Sequence, residues 1–312
     1  MEGIPRPGYI ELYEKGELQK RRDAARALLS PCTLCPRTCK VDRLRGERGF
    51  CRTGALPVVS SYGPHFGEES PLVGEHGSGT IFITHCNLGC IFCQNYEISH
   101  LGEGQEISPE DLSRIMLDLQ RRGCHNINFV SPTHVVPFIL DALPFAIDRG
   151  LTLPLVYNTG GYDSLASIRL LEGVFDIYMP DFKFAGAEEG KQYAHAPDYF
   201  QVACAALAEM HRQVGDLQLD SRGIAWRGLL IRHLVMPEGV AGTDKVMAYI
   251  SQRLSKDTYI NIMDQYRPCG EARLHPEIDR AITGDEFAGA IRIAHSYGLH
   301  RLDDRRRFPL PR

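Results

Sequence analysis

The sequence predicts an α/β fold: a parallel sheet covered by helices, curled into a partial (β/α)6 barrel of the TIM type, with an N-terminal cysteine-rich extension. Three observations predict it. From Thr80 onward, short apolar runs rich in β-branched and aromatic residues alternate with amphipathic stretches. Six such units are present, fewer than the eight of a complete barrel. Polar residues (Ser131, Asn158, Asp181 and Asp264) stand just past apolar runs, at the strand ends where barrels carry their chemistry. A doubly wound flat sheet is the alternative.

The elements follow in order. Residues 11–29 read as helix, with Leu12, Leu18, Ala25, Leu28 and Leu29 set among charges. A turn-rich segment bearing cysteines runs from Ser30 to about Gly54. Residues 55–79, with many Gly and Pro, read as irregular chain. The first strand, 80–85, ends at a cysteine loop. Ser108-Pro109-Glu110-Asp111 starts a helix: Ser108 caps, Pro109 suits the first helical position and Asp111 completes a capping-box pattern. Leu112, Ile115, Met116 and Leu119 give that helix one apolar face. Strands at Asn126–Val130, Leu153–Tyr157 and Phe175–Met179 alternate with helices at 134–149 and 163–171. A long helix at 197–214 precedes a hairpin from Leu217 to Val235, turning near Asp220-Ser221-Arg222-Gly223, whose second arm is the fifth strand. A helix at 243–254 leads to the sixth strand, Tyr259–Met263. The last helix starts at Thr283, with Glu286 in the capping-box position, and stops near Gly298. The expected organisation is an extension over 1–79, a barrel over 80–300 and a C-terminal tail over 301–312.

The 312 residues are 43% apolar and 24% charged, enough to bury a sizeable core. The net charge of −4 argues against a nucleic-acid surface. Lys20-Arg21-Arg22 and Arg305-Arg306-Arg307 read as solvated faces. With no signal peptide and no long apolar span, a soluble cytoplasmic protein without membrane contact is expected. Ten cysteines in that setting point to metal ligation before disulfides.

Seven of the ten fall in two clusters. Cys86-x3-Cys90-x2-Cys93 follows the first strand, so one short loop brings three thiolates around one metal centre. An ordinary four-iron cluster takes four thiolates. With three, one iron keeps an open position, and an open position is where metal chemistry happens. Cys32, Cys35, Cys39 and Cys51 offer four thiolates and no open position. They fit structural Zn²⁺ or a second, auxiliary iron–sulfur cluster, and redox-neutral zinc is the simpler expectation. Cys124, Cys204 and Cys269 stand alone and read as buried structural thiols. His134 reads as a helix start, Glu68, Glu69 and His65 as polar turn residues, and Tyr62, Tyr157 and Tyr178 as core packing.

The three-cysteine motif, with aromatic Phe92 before its last cysteine, resembles the signature of the radical S-adenosylmethionine (SAM) superfamily. The wider sequence resembles its pyruvate formate-lyase activating enzyme-like (PflX-like) subgroup. The resemblance runs through Cys32–Cys39, Gly63–Glu69, Asn87–Asn95, Ile177–Lys183, Ile231–Pro237 and Asn261–Pro268. It implies a radical SAM core in which Cys86, Cys90 and Cys93 hold a [4Fe–4S] cluster and SAM chelates the open iron. One electron then cleaves SAM to methionine and a 5′-deoxyadenosyl radical, which abstracts hydrogen from a substrate.

The same resemblance implies roles for Met179, Asp181 and Lys183 at the end of the fourth strand. There, with Asn158 and Thr159, an Asp and the Met carbonyl hold a monovalent cation beside the SAM carboxylate, and Lys reaches SAM. Arg232 resembles an Arg that contacts SAM from the fifth strand. Where activating enzymes carry Gly-Gly-Glu-Pro, this chain has Val130-Ser131-Pro132-Thr133, so Ser131 and Thr133 are the candidate partners of the SAM amino group. Tyr266 stands where a His packs near the adenosine.

The functional expectation is therefore a radical SAM enzyme of unidentified substrate. A glycyl-radical activase is the more specific alternative, and a non-catalytic iron–sulfur or zinc protein is the alternative of another class. Flavodoxin or ferredoxin is the electron donor implied by the family, and a protein or peptide is one candidate substrate.

Overall fold

The computed structural model describes residues 5–303. Arg305-Arg306-Arg307, and all but the first residues of the expected tail, lie outside the described residues. In chain order the helices and strands are α1 (Gly8–Glu14), α2 (Glu17–Ala27), β1 (Val58–His65), α3 (Ser70–Val73), β2 (Ser78–Ile83), β3 (Gln105–Glu106), α4 (Pro109–Arg121), β4 (Ile127–Val130) and α5 (Val136–Asp148). They continue with β5 (Leu155–Thr159), α6 (Leu165–Leu170), β6 (Ile177–Pro180), α7 (Ala187–Ala194), α8 (Tyr199–Val214), β7 (Gln218–Leu219), β8 (Ala225–Leu234), α9 (Thr243–Tyr249), β9 (Tyr259–Met263) and α10 (Gly284–Ser296).

Strands β2, β4, β5, β6, β8 and β9 pair in that order, all parallel. Among the described residues β9 makes no ladder with β2, so the barrel is open on that side. Across the opening, Asn261 Nδ2 donates to Glu69 Oε1 at 2.8 Å. On the far side of β2 the sheet continues antiparallel through β1 and β3.

Side-chain alternation along the strands sorts two environments. Phe129, Tyr157, Leu229 and Ile231 join the large apolar cluster shared with the helices. Val156, Ile177, Met179 and Leu230 pack with Leu72 in a second cluster, the barrel interior. By the same alternation Asn158, Asp181, Arg232 and Asn261 also face inward. The interior is therefore apolar towards the strand beginnings and polar towards the strand ends, where loops carry function in such barrels.

The structure differs from the sequence reading in several places. Residues 58–65 form the strand β1 and not irregular chain; Gly63 and Pro64 are tolerated because this strand lies outside the parallel set. The first helical stretch breaks at Lys15-Gly16, where Gly16 takes φ +71°. A helix at Ala187–Ala194, α7, was not foreseen. Tyr62 is exposed on β1, not packed in the core.

The N-terminal helices share the barrel's apolar cluster through Tyr9, Ile10, Leu18 and Ala25. Polar contacts fix them in place. Tyr9 Oη donates to the Leu153 carbonyl at 3.0 Å, and Arg22 and Arg26 pair with buried Asp141. Asp176, just before β6, accepts the backbone N–H groups of Gly8 at 3.1 Å and Leu155 at 3.2 Å.

Burial pushes the Asp176 carboxyl up to about 6, although the two N–H donors oppose the shift. A raised acid contributes stability that is fully present below its unfolded pKa, 3.8, and lost as pH rises through about 6. The loss is on the order of 3 kcal/mol at about 1.4 kcal/mol per unit. Asp176→Asn removes this slope, so urea unfolding of the variant between pH 4 and 7 is expected to show a flatter stability profile than wild type.

Candidate active site and metal centre

The loop after β2 gathers the three cysteines. His85 enters it with φ +70° and Gly89 turns it with φ +76°. A Cβ on Gly89 would approach the Phe50 ring to 3.0 Å, so the turn requires glycine for space as well as for φ. Ile91 N donates to the Tyr193 carbonyl at 3.0 Å, and Asn87 Nδ2 to the Tyr162 carbonyl at 2.7 Å. Arg37 reaches in from the N-terminal segment and donates to the carbonyls of Asn87 (2.9 Å), Leu88 (2.7 Å), Ala194 (3.1 Å) and His195.

Cys86, Cys90 and Cys93 line one cavity of about 210 Å³ at the open end of the barrel. Its wall also carries Asn158, Asp181, Lys183 and Arg232. Leu88 N–H points at Cys86 Sγ (3.4 Å) and the Ser99 hydroxyl at Cys93 Sγ (3.2 Å), donors of the kind that stabilise cluster-bound thiolates. Burial raises the Cys86 and Cys90 thiols, and the nearby Lys183 ammonium opposes it at both. Metal binding here therefore releases protons.

Opposite the cysteines stands a network of charges. Arg232 Nε donates to Asp181 Oδ1 at 2.7 Å and its Nη2 to Asn158 Oδ1 at 2.6 Å, while Lys183 Nζ holds Asp181 Oδ2. Burial alone would raise the Asp181 carboxyl, but Arg232 and Lys183 outweigh it and hold it below the usual range. Burial works against the Lys183 ammonium, yet Asp181 and the Cys90 sulfur push it up to about 12.

The residues present fit a three-thiolate iron–sulfur cluster. Three sulfurs converge on one cavity, two of them receive hydrogen-bond donors, and a buried cation lies near.

Of the residues singled out in the sequence, Phe92, Ser131, Asn158, Thr159, Asp181, Lys183 and Arg232 line the cavity. Ser131 does so with φ +59°, a left-handed backbone that glycine ordinarily takes, and its N–H donates to the Asn158 carbonyl at 2.8 Å. Three others stand off the wall. The Met179 side chain packs in the apolar barrel interior. Thr133 is buried behind the wall because its hydroxyl donates to Asp163 at 2.6 Å. Tyr266 is buried with its hydroxyl on the Ile278 carbonyl at 2.7 Å, and its ring lies tilted against that of Phe92, centroids 6.1 Å apart.

Glu68 and Glu69, read as surface turn residues, are buried instead. Glu68 lies 3.5 Å from Arg232, and Glu69 accepts from Asn261. Burial and then the Glu69 charge raise the Glu68 carboxyl. Gln94, Ser99, His100 and Gln265 also line the cavity and were not foreseen. Gln94 alone had a signal, its place directly after Cys93.

The model of the radical SAM superfamily matches residues 80–175. The uncharacterized protein MJ0674 of Methanocaldococcus jannaschii is 32% identical over 305 residues, spanning 95% of this chain and 83% of the relative. The uncharacterized protein MJ0808 of the same organism is 28% identical over 147 residues, 41% of this chain and 42% of that one. Among solved structures, HydG, a maturase of the [FeFe]-hydrogenase, aligns at TM-score 0.49 and 12% identity over 72% of this chain and 49% of its own. The protein anSMEcpe with bound AdoMet aligns at TM-score 0.45 and 11% identity, over 69% and 57%. Among the described residues no helix is long and apolar enough to cross a membrane.

Asp163 is a buried acceptor for three hydroxyls beside the cavity: Thr133 (2.6 Å), Thr159 (2.7 Å) and Tyr157 (2.9 Å) all donate to it. Asp163→Ala leaves three buried hydroxyls without this acceptor. At about 1 kcal/mol or more for each lost bond, a destabilisation of about 3 kcal/mol is expected in denaturant unfolding.

Proposed function

The chain belongs to the radical SAM superfamily, and on that premise we propose that it is an iron–sulfur enzyme that cleaves SAM reductively and takes a hydrogen atom from its substrate. The observation that carries this reading is the pairing of the three-cysteine loop with the Asp181–Lys183–Arg232 network across one cavity. Cys86, Cys90 and Cys93 would hold a [4Fe–4S] cluster, which with SAM bound would supply one-electron reduction of the sulfonium and a carbon radical able to abstract hydrogen.

The chain's own residues bind, orient and exclude. Arg37 and the Ile91 N–H hold the cysteine loop at its carbonyls and backbone, so the three sulfurs are set before metal arrives. Lys183 and Arg232 present positive charge to the carboxylate of an amino-acid moiety, and Asn158 and Asp181 fix the Arg232 rotamer. Leu88 and Phe92 give the wall an apolar flank against which a ring can lie and water is excluded. Lys183 and Arg232 already occupy both Asp181 oxygens, which favours these side chains over a monovalent metal cation as the local positive charge.

The activase reading is favoured by one observation: Asp181 and Lys183, which the resemblance to activating enzymes marks, do meet at the cavity. It makes a protein segment the substrate, with a flavodoxin or ferredoxin as electron source. The ten free cysteines suit a reducing compartment, and we place the enzyme in the cytoplasm.

Anaerobically reconstituted protein with SAM and dithionite is expected to release 5′-deoxyadenosine, and Cys90→Ala to release none. A wild-type protein that binds iron and SAM but yields no 5′-deoxyadenosine would favour a non-catalytic role. Lys183→Met is expected to weaken SAM binding about 10- to 100-fold, the worth of a charged hydrogen bond, by equilibrium dialysis of the reconstituted protein. An unchanged Kd would remove Lys183 from the SAM site.

A further inference from the structure

We propose that the cleft on the open side of the barrel, walled by Glu68, Glu69 and Asp264, binds a primary ammonium group carried on an aliphatic stem, the cationic end of the substrate. That the ligand is a substrate rests on the SAM reading of the neighbouring cavity; the binding site itself does not.

The chain builds this wall where the sheet is left unclosed. After β1, Glu69 stands directly before α3, and the Leu72 N–H donates to its carbonyl at 2.9 Å. The Leu72 side chain packs in the apolar barrel interior, which pins the two glutamates before it at the gap between β2 and β9. From the other edge, Asn261 of β9 reaches Glu69 Oε1. Asp303 is laid along β9: its N–H donates to the Ile260 carbonyl at 2.8 Å, and its carboxylate accepts from the Tyr259 hydroxyl at 2.7 Å. Glu68, Glu69, Asn261 and Asp303 border one cleft of about 510 Å³.

Among the described residues the charged lining of this cleft is Glu68, Glu69, Asp264 and Asp303 against Arg232 alone. Arg232 is already committed: its Nε is on Asp181 and its Nη2 on Asn158, with Glu68 at the longer distance of 3.5 Å. The lining is therefore net negative. Burial and the Glu69 charge raise the Glu68 carboxyl, as two crowded acids require, and a cation beside them relieves that repulsion.

Glu69 itself lacks a donor, independently of how many acids surround it. It is 3% exposed; Oε1 accepts from Asn261, but Oε2 is buried and no described residue donates to it. A buried carboxylate oxygen left unsatisfied is costly. On the wall of the cleft it is an acceptor for one incoming N–H.

Shape selects the class of cation. The cleft far exceeds one metal ion and falls in the range of small-molecule sites. Ile262, Met263 and Phe287 supply apolar wall beside the acids, which suits methylene groups. One open oxygen favours an ammonium over a guanidinium, whose planar fork is matched by two parallel acceptors. Arg232, Met263 and Gln265 border both this cleft and the cavity of the three cysteines, so a ligand anchored at Glu69 can extend its stem past Met263 towards the sulfurs.

The test is calorimetric titration of the anaerobically reconstituted full chain with n-pentylamine, Nα-acetyl-lysine methylamide and its uncharged analogue Nα-acetyl-norleucine methylamide. Wild type is expected to bind the lysine probe at least about 10-fold more tightly than the norleucine probe, and Glu69→Gln, which keeps an acceptor for Asn261, to lose about 10- to 100-fold of that affinity, the worth of a charged hydrogen bond. Binding of pentylamine as well marks a free amine as the source, and binding of the lysine probe alone marks a peptide; either supports the site. No binding, equal affinity for the lysine and norleucine probes, tighter binding of the matching arginine probe, or an unchanged affinity in Glu69→Gln would overturn the inference. If that variant does not fold, the comparison of probes on wild type decides. A wild type that releases 5′-deoxyadenosine from SAM but ignores both amines defeats this inference alone. One that binds them through Glu69 and cleaves no SAM defeats the functional reading alone.

Discussion

Asp181 lies where the ends of β6 and β8 meet, and both of its oxygens are taken by cations. The site depends on that arrangement. Arg232 and Lys183 are largely buried cations in a half-closed cavity, and without the carboxylate between them Lys183 would lose its partner and Arg232 would be left with the more distant Glu68, at 3.5 Å. Removing one member of such a buried group costs about 3–5 kcal/mol. The backbone is tied at the same point: Phe182 N donates to the Arg232 carbonyl at 2.7 Å, and Tyr199 Oη lies 2.9 Å from the carbonyls of Gly160 and Asp181. Strand pairing thus places the carboxylate, the carboxylate places the cations, and the cations face the sulfurs.

The six parallel strands were legible because each is a short β-branched or aromatic run with turn chemistry at its end, and β9 has the bounds read for it. Two helix starts were legible for a sharper reason. Ser108 and Thr283 make the reciprocal capping bonds with Asp111 and Glu286 that their spacing foretold. β1 was not legible, because Ser60-Ser61-Tyr62-Gly63-Pro64 lacks apolar alternation and is held by its partner β2 rather than by its own pattern.

Within the site, the cysteine loop was readable from spacing alone, since one loop must bring its ligands together. Asn158 and Asp181 were readable because they stand just past apolar strand runs, whereas Arg232 was marked by the family resemblance alone. Thr133 was misplaced: it lies beyond the strand end, where alternation no longer fixes direction, and Asp163 draws its hydroxyl away. His100 comes from a short π-helical turn at Glu97–Leu101 and Gln265 from a loop, and no local pattern dictates the path of either. Glu68 and Glu69 look like surface residues until the fold supplies Arg232 and Asn261.

The N-terminal segment shows how charge pairing adds to composition. Four cysteines in a turn-rich stretch admit either metal. Two arginines bound only to carbonyls beside the four thiols are visible only once the chain is folded. Its helices share the barrel's apolar cluster, so this segment is part of the scaffold that sets the cysteine loop.

The central claim is that three sulfurs leave one iron free to take SAM. Electron paramagnetic resonance of the dithionite-reduced protein, with and without SAM, tests it most directly. The account predicts a cluster signal whose g-values change when SAM is added, and no such SAM-sensitive signal after Cys86, Cys90 and Cys93 are replaced by Ala. A wild-type signal indifferent to SAM, or a SAM-sensitive one that survives the loss of those cysteines, would contradict it.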